Sequence, residues 1–198
     1  MPRLVRTYDE YEFGLSWVLQ EPMERTSHAL VVDGRVWLVD PVAVDEALER
    51  VRELGEPAGV LQLLDRHNRD CAKLAAQLGV PHLKVPDAAP PFDALPLVRI
   101  PGWKETALWW PAKRALIVAE AVSSSEVFTG GAARVGVHFL LRPLPPTRLR
   151  AYAPEHLLMG HGAGVHGPYA AAELDRAYAR SRRDLPRVLA KLPFAARG

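Results

Sequence analysis

Short apolar blocks separated by polar turns dominate the first half of the chain and predict alternating strands and helices. Apolar runs at 15–20, 29–32 and 36–39 are typical of β-strands. The last two runs are separated by Asp33-Gly34-Arg35, which predicts a hairpin because Asp-Gly readily adopts the positive φ angles of a tight turn. Asp40-Pro41 then ends the third strand.

A helix and then a strand–helix pair follow this hairpin. Apolar residues spaced by three and four predict a helix over 45–54, and Gly55 lies where a C-cap belongs. The apolar run 59–64 predicts a buried strand, which leads into the polar string 65–70 and then into a helix over 71–78. The most polar segment of the first half therefore lies at the carboxyl end of a strand, where α/β proteins commonly place their chemistry.

The second half mixes strands with less regular segments. Strands are predicted at 97–100, 107–110, 115–118 and 156–159, with the middle two forming a hairpin. The small and polar segment 123–136 predicts a mobile loop, and 168–192 predicts a helix that is bent or broken at Pro186. The order of elements is βββα-βα-ββββ-(loop or helix)-βα, which indicates a mixed α/β fold.

The composition excludes a disordered chain and gives no support for a nucleic-acid platform. Of 198 residues, 48% are hydrophobic and 24% are charged, and 25 basic residues nearly balance 23 acidic ones. This length can bury a sizeable core, and we expect one domain over 1–198. The arginines cluster only over 180–187, which we interpret as a solvated helix face.

The single cysteine, Cys71, excludes an internal disulfide and a cysteine-rich zinc cluster. It lies on the apolar face of its helix, and we interpret it as a core thiol. No run of about 20 apolar residues predicts a membrane span, and the charged segment 1–20 does not have the pattern of a signal peptide. We therefore expect a cytoplasmic protein without membrane or nucleic-acid partners, in which any metal site uses histidines and carboxylates.

Five local strings resemble, in their order and spacing, the motifs of the metallo-β-lactamase fold superfamily. The matching segments are 27–41 at the opening hairpin, 63–70 at the HxHxDH motif, 100–103 at the PGH turn, 118–121 at the GD turn and 157–162 at the closing GHG. The resemblance extends over 15–189. It implies an α/β (α+β) fold, specifically a four-layer αββα sandwich with the pocket at one edge of the two sheets.

The chain departs from the family at most of the metal-binding positions. The family's chemistry needs imidazoles and carboxylates that hold two metal ions and activate a bridging water. Aligned on HxHxDH, the chain offers Asp65, His67, Arg69 and Asp70. Trp103 replaces the PGH histidine, and Glu120 stands where the family has its bridging aspartate. Only His67 and His161 match histidines of the family.

We do not expect two intact metal sites, because the guanidinium of Arg69 cannot ligate a cation and repels one. The expected pocket holds no cofactor, and Asp65 and Asp70 neutralise Arg66 and Arg69. The resemblance also leaves room for one zinc, iron or manganese ion, whose candidate ligands are Asp65, His67, Glu120 and His161. The full set of pocket candidates is Asp65, Arg66, His67, Arg69, Asp70, Trp103, Glu120, His161 and His166.

The remaining histidines and the aromatic candidate have plainer interpretations. His28, His82 and His156 are interpreted as structural or peripheral histidines. His138 and His166 flank loops that the family folds over its pocket, so either could line the site. Trp103 is expected to fill the space that a metal ion occupies in the family.

The resemblance implies hydrolase ancestry and leaves several functions open. In the first, the dinuclear site is degraded and the protein binds a small-molecule or anionic ligand, because Arg66 and Arg69 precede a helix N-terminus. In the second, the protein is a mononuclear metal-dependent hydrolase of an ester, thioester or phosphoester. A metal-free hydrolase with His67 or His161 as general base is a third, although no nucleophile is visible. Apolar surface around the proline-rich segment 81–101 leaves a homodimer open.

Overall fold

Two large β-sheets organise the fold in the computed structural model, which describes residues 3–67 and 69–195. The strands of the first sheet are β1 (Val5–Tyr11), β2 (Gly14–Leu19), β3 (Thr26–Val32), β4 (Arg35–Val39), β5 (Glu56–Gln62) and β6 (His82–Lys84). They lie in chain order across the sheet. The first four strands pair antiparallel, whereas β4, β5 and β6 pair in parallel. Helices α1 (Asp45–Leu54) and α2 (Cys71–Leu78) make the crossovers that parallel pairing requires.

The second sheet lies in the other half of the chain. Its strands are β7 (Asp93–Ile100), β8 (Trp103–Trp110), β9 (Ala115–Val118), β12 (His156–Met159) and β13 (Val165–His166). Their order across the sheet is β13-β12-β9-β8-β7, and β9 and β12 pair in parallel. A separate two-stranded ribbon joins β10 (Val122–Ser123) to β11 (Gly136–Val137), and the remaining helices are α3 (Glu126–Thr129), α4 (Ala170–Arg180) and α5 (Leu185–Ala195).

Side chains alternate between the two faces of the first sheet, so each face packs into a different apolar layer. Leu30 and Leu61 are buried with side chains of the second sheet, whereas Leu38 and Val60 are buried with α1 and α2. Leu174 places α4 against the far side of the second sheet. The layers therefore run helix, sheet, sheet, helix, which confirms the predicted αββα sandwich. The expected core thiol is also confirmed, because Cys71 is only 1% exposed.

Several elements match their prediction, whereas the predicted loop does not. Helix α1, strand β9 and strand β12 have the predicted bounds. The predicted mobile loop at 123–136 instead contains α3 and one residue of each ribbon strand, and Val127, Phe128 and Val135 in it are buried. Small and polar residues suggested a loop, but these few apolar anchors decide the structure of the segment.

The predicted helix over 168–192 consists of two helices whose boundary does not lie at the proline. Helix α4 ends at Arg180, and α5 begins at Leu185. Pro186 is the second residue of α5, where its missing N–H has no intrahelical acceptor and the ring causes no break. With 11 residues each, α4 and α5 are the longest helices in the described part of the chain, well short of the roughly 20 residues that a membrane span needs.

The segment that follows β5 connects the two sheets directly. Leu64 forms an isolated bridge with Glu105 of β8, and the amide of Asp65 donates to the carbonyl of Lys104. The amide of Thr106 donates to the carbonyl of Leu63. These contacts hold the polar string that precedes α2 at the edge shared by both sheets.

A carboxylate–imidazole–imidazole chain closes the opposite margin of the sandwich. Asp9 of β1 lies 2.9 Å from Nε2 of His166, and Nδ1 of His166 lies 2.8 Å from Nδ1 of His156. Burial alone would raise the pKa of Asp9, but the hydrogen bond and charge of His166 outweigh it and hold this pKa below 3.8. These hydrogen bonds connect β1, the edge strand of the first sheet, to β12 and β13 of the second sheet.

We expect Asp9→Asn to destabilise the protein in a pH-dependent way. A carboxylate whose pKa is lowered on folding contributes stability above its unfolded pKa and loses it as the pH falls through the folded value. At about pH 5.5 the variant should lose on the order of 1 to 2 kcal/mol of unfolding free energy, and the difference should shrink as the pH falls through the lowered pKa of Asp9. Urea unfolding across this range measures it. A constant difference down to pH 2.5 would show that Asp9 acts through packing rather than charge.

Candidate functional site

A cavity of about 320 Å³ opens where the strand ends of both sheets meet. It is lined by Met23, Arg25, Arg66, His67, Arg69, Glu120 and His161. Glu120 and His161 are neighbours because they follow β9 and β12, whose parallel pairing brings their carboxyl ends together. His67 and its neighbouring arginines come from the segment between β5 and α2.

Two buried histidines point their free nitrogens at each other inside this cavity. Nδ1 of His161 lies 2.9 Å from the carbonyl oxygen of Met23, and Nδ1 of His67 lies 3.1 Å from a carboxylate oxygen of Asp40. Both of these partners accept hydrogen bonds, so both imidazoles carry their proton on Nδ1. The two Nε2 atoms, each with a lone pair, are 3.4 Å apart.

The electrostatic surroundings keep both imidazoles neutral. Burial lowers the pKa of His67, and the positive charge of Arg69 lowers it further, although Asp40 opposes the shift. The pKa of His161 lies well below its ordinary value for the same two reasons, burial first and Arg69 second. Neutral imidazoles have lone pairs available for a metal ion at physiological pH.

Glu120 completes a group of three potential ligands. The ligand atoms of His67, Glu120 and His161 all lie within 4.8 Å of one another, and the three residues are buried. Arg66 donates to Oε2 of Glu120 from Nε at 3.1 Å and from Nη2 at 2.6 Å. Both bonds go to the same oxygen, so Oε1 is not used by Arg66.

Trp103 supports this ion pair from the position that the family resemblance gave to a histidine. The indole is only 2% exposed, and the guanidinium carbon of Arg66 lies 4.1 Å from its ring centre. His138 packs edge-on against Trp103 at 4.6 Å, with Nε2 3.8 Å from Oε1 of Glu120. Trp103 therefore helps to hold Arg66 in place.

A fully buried carboxylate beneath the cavity holds the turn that carries Glu120. Glu105 accepts hydrogen bonds from the backbone amides of Glu120 at 3.0 Å and Ala121 at 3.1 Å. It also accepts one from the indole N–H of Trp103 at 3.1 Å. Burial raises the pKa of Glu105 to about 7, against the effect of these hydrogen bonds. Glu105 was not predicted from the sequence, because a lone glutamate in an apolar strand carries no motif.

Asp40 is a second residue that the sequence did not single out for the site. One carboxylate oxygen bonds His67, and the other accepts the amide of Leu63 at 3.1 Å. Burial would raise the pKa of Asp40, but the hydrogen bonds from His67 and the Leu63 amide and the charge of Arg69 lower it below its ordinary value. Its φ angle of +44° is rare outside glycine and asparagine-like residues and often marks functional positions. The available signal was the Asp40-Pro41 strand end within the family-like opening hairpin.

Arg69 ties the two sheets together from inside the cavity. Its guanidinium donates to the backbone carbonyls of Thr26 and Asp40 in the first sheet and of Gly160 after β12 in the second. Its Nε–H is buried and has no acceptor among the residues that the structure describes. Arg69 therefore acts as a fixed positive charge in the wall of the site.

We expect Gly160→Ala to destabilise the protein and displace His161. A Cβ atom at position 160 would lie 2.3 Å from the carbonyl oxygen of Ala119, a backbone atom that cannot turn aside. The expected loss of unfolding free energy is about 2 to 3 kcal/mol, measured by urea denaturation. Gly79→Ala is the control, because open space surrounds it and only left-handed backbone strain of about 1 kcal/mol applies. Equal losses in the two variants would contradict the close contact.

The structure brings together five of the predicted pocket residues around the cavity, namely Arg66, His67, Arg69, Glu120 and His161. Asp65 does not join the three-ligand group, and its buried Oδ1 has no partner in the described part of the chain. Asp70 faces away, since it pairs with Arg3 and accepts the amide of Ala43 at 2.9 Å.

The expected partners of the arginines are therefore corrected. Arg66 pairs with Glu120 rather than with Asp65, and Arg69 is bonded to backbone carbonyls rather than to Asp70. His166 is also corrected, because it belongs to the chain of Asp9 and His156 and does not line the cavity. Arg25, which does line it, was missed because its sequence neighbourhood carries no motif.

The spacing of the two histidine nitrogens matches that of two ligands of one metal ion. Metal–nitrogen bonds of about 2.0 to 2.1 Å at tetrahedral angles place two ligand nitrogens about 3.3 to 3.4 Å apart, close to the spacing of the two Nε2 atoms. Each potential ligand also has an outer partner that orients it: Asp40 for His67, the Met23 carbonyl for His161 and Arg66 for Glu120. Arg69 contributes no ligand to this wall, because a guanidinium cannot ligate a cation.

No family model matches the chain, and no curated protein matches it. Among solved structures, the DIM-1 metallo-β-lactamase exposed to ceftazidime is 13% identical, with a TM-score of 0.54 over 92% of this chain and 98% of that one. The FIM-1 metallo-β-lactamase from Pseudomonas aeruginosa in its mono-zinc form is 10% identical, with a TM-score of 0.54 over 92% and 97%. TMB-1 is 10% identical, with a TM-score of 0.56 over 92% and 98%. The chain therefore has the metallo-β-lactamase fold.

Proposed function

We propose that the protein is a hydrolase that works with one divalent metal ion held by His67, His161 and Glu120. The observation that carries this proposal is the pair of Nε2 lone pairs 3.4 Å apart, on imidazoles whose Nδ1 atoms are already bonded. The fold supports it, since solved neighbours are metallo-β-lactamases and FIM-1 has been solved in a mono-zinc form. Two imidazoles and a carboxylate are donors that zinc, iron and manganese accept.

Residues around the cavity orient the three proposed ligands. Asp40 and the Met23 carbonyl fix the tautomer and orientation of the two histidines, and Glu105 fixes the turn of Glu120. Arg66 holds one carboxylate oxygen of Glu120 and leaves the other free. When bound, the ion would supply Lewis-acid polarisation of the scissile group and activation of a water molecule.

Metal content and hydrolysis test the proposal together. The protein is purified without added metal and without a histidine tag, and its zinc, iron and manganese are measured by elemental spectrometry. We expect about one ion per chain, directly or after reconstitution, because the site has one set of three ligands. Aryl acetate, a thioester and an aryl phosphodiester are then assayed with and without a chelator. A protein that takes up no ion after reconstitution contradicts the proposal.

A second function is favoured by the ion pair between Arg66 and Glu120. This pair neutralises the third ligand while the cavity still carries Arg25 and Arg69. Such a pocket suits a metal-free protein that binds a small anion, in which the dinuclear site of the fold has been lost. The same metal measurement separates the two functions, because the second requires anion binding by a protein that takes up no ion.

A further inference from the structure

The positive charges of the cavity wall are not equally compensated. Arg25, Arg66 and Arg69 place three guanidinium groups on the wall, and Arg25 is paired with Glu21 and Arg66 with Glu120. Arg69 has no bonded carboxylate among the residues that the structure describes. The histidines of the wall cannot offset its charge, because an imidazole is either neutral or positively charged.

Arg69 is the least compensated of these charges. Its hydrogen-bond partners in the described chain are the neutral carbonyls of Thr26, Asp40 and Gly160, and its buried Nε–H has none. The nearby carboxylate of Asp40 is already bonded to His67 and to the amide of Leu63. A buried guanidinium without a bonded counter-ion is costly, so a ligand that supplies the missing charge gains affinity.

Arg66 and Arg25 place two more guanidinium groups on the same cavity. Arg66 uses Nε and Nη2 on Glu120, and Arg25 uses Nε and Nη2 on Glu21. Nη1 of each has no acceptor among the described residues, which leaves it available to a ligand in the cavity. Guanidinium groups bind oxyanions in preference to other anions because their N–H groups match pairs of oxygen atoms.

We propose that Arg25, Arg66 and Arg69 form a subsite for a phosphate-type oxyanion, in which the permanent charge of Arg69 does the work of a second cation. The proposal rests on the proposed function and names its substrate class as phosphate-bearing small molecules. A phosphate group fits better than a carboxylate, because it has more oxygen atoms that can accept hydrogen bonds from three guanidinium groups. The single metal ion and the oxyanion subsite then share one cavity.

Titration calorimetry with inorganic phosphate tests the subsite on the full chain after metal removal with a chelator. Arg66→Gln removes an exposed contributor, and Arg69→Lys keeps the buried charge but loses the guanidinium fork. We expect each to weaken phosphate binding by about 10-fold or more. Arg150→Gln is the matched control, because Arg150 pairs with a single aspartate, Asp175, at the surface and is outside the cavity lining. It should leave phosphate binding unchanged.

The outcomes are separable from those of the proposed function. Phosphate binding that is absent in the natural sequence, equally weak in Arg150→Gln, or matched by acetate and chloride at equal ionic strength overturns the subsite. If Arg69→Lys does not fold, Arg66→Gln still tests the subsite, because the Arg66 side chain is partly exposed and we expect its replacement to leave the fold intact. If the protein binds one metal ion but no phosphate, the oxyanion subsite is contradicted and the proposed hydrolase is not. If it binds phosphate but no metal ion, the proposed hydrolase is contradicted and the oxyanion subsite is not.

Discussion

Replacing His67 and His161 together by alanine is expected to reduce the metal content of the protein from about one ion per chain to background, because only Glu120 of the three ligands then remains. Any metal-dependent hydrolysis should fall by at least about 100-fold with it. The metal content is measured by elemental spectrometry after dialysis of the protein against trace metal. The hydrolytic activity is measured as initial rates on the aryl ester and the phosphodiester.

The control for this experiment is a histidine that lies away from the cavity. His82→Ala removes an imidazole that is bonded to Gln62 and does not line the cavity, so metal content should not change. Far-UV circular dichroism checks that the double variant is folded. A folded double variant that retains a stoichiometric ion would show that the metal binds elsewhere and would sink the proposed centre.

Asp40→Ala is expected to cause the largest loss of stability among single substitutions at the site. It removes the acceptor of the Leu63 amide and of Nδ1 of His67, and it removes a carboxylate whose charge stabilises the positive charge of Arg69. Alanine at φ +44° adds backbone strain. We expect a loss of about 3 to 5 kcal/mol of unfolding free energy, measured by urea denaturation.

Asp40→Asn is the matched variant, because asparagine tolerates the left-handed backbone and keeps one acceptor oxygen. It should lose less stability than Asp40→Ala but bind metal about 10- to 100-fold more weakly, because His67 loses its charged outer partner. Competition with a chromogenic chelator measures this affinity. An asparagine variant with unaltered metal affinity would show that Asp40 serves the fold alone.

The αββα architecture could be predicted from the sequence because its signals are local and repeated. The helix over Asp45–Leu54 has a clear apolar spacing and a terminal glycine, and the Asp-Gly turn defines the hairpin of β3 and β4. Strand β1 was not predicted, since its charged residues alternate on an exposed edge and resemble a solvated segment. The segment forms a strand because it pairs with β2, and the pattern of its own residues does not indicate that pairing.

The candidate site could be predicted only where its residues belong to a motif. His67, Glu120 and His161 were predicted as ligands because each lies in a string that resembles the family. Asp65 was predicted with them from the same family-like string as His67, yet it does not join their group. Asp40 and Glu105 act through hydrogen bonds across more than 14 residues of sequence, and single-sequence patterns do not report such contacts.

The three carbonyl contacts of Arg69 have a consequence for any attempt to build a dinuclear centre into this pocket. Exchanging Arg69 for an aspartate would add a ligand, but it would also remove the side-chain hydrogen bonds that link Thr26, Asp40 and Gly160 in the described part of the chain. The gain in ligation and the loss of these hydrogen bonds would occur in the same step, so their effects would not add independently. Engineering a second metal site here therefore requires compensating changes elsewhere before Arg69 is replaced.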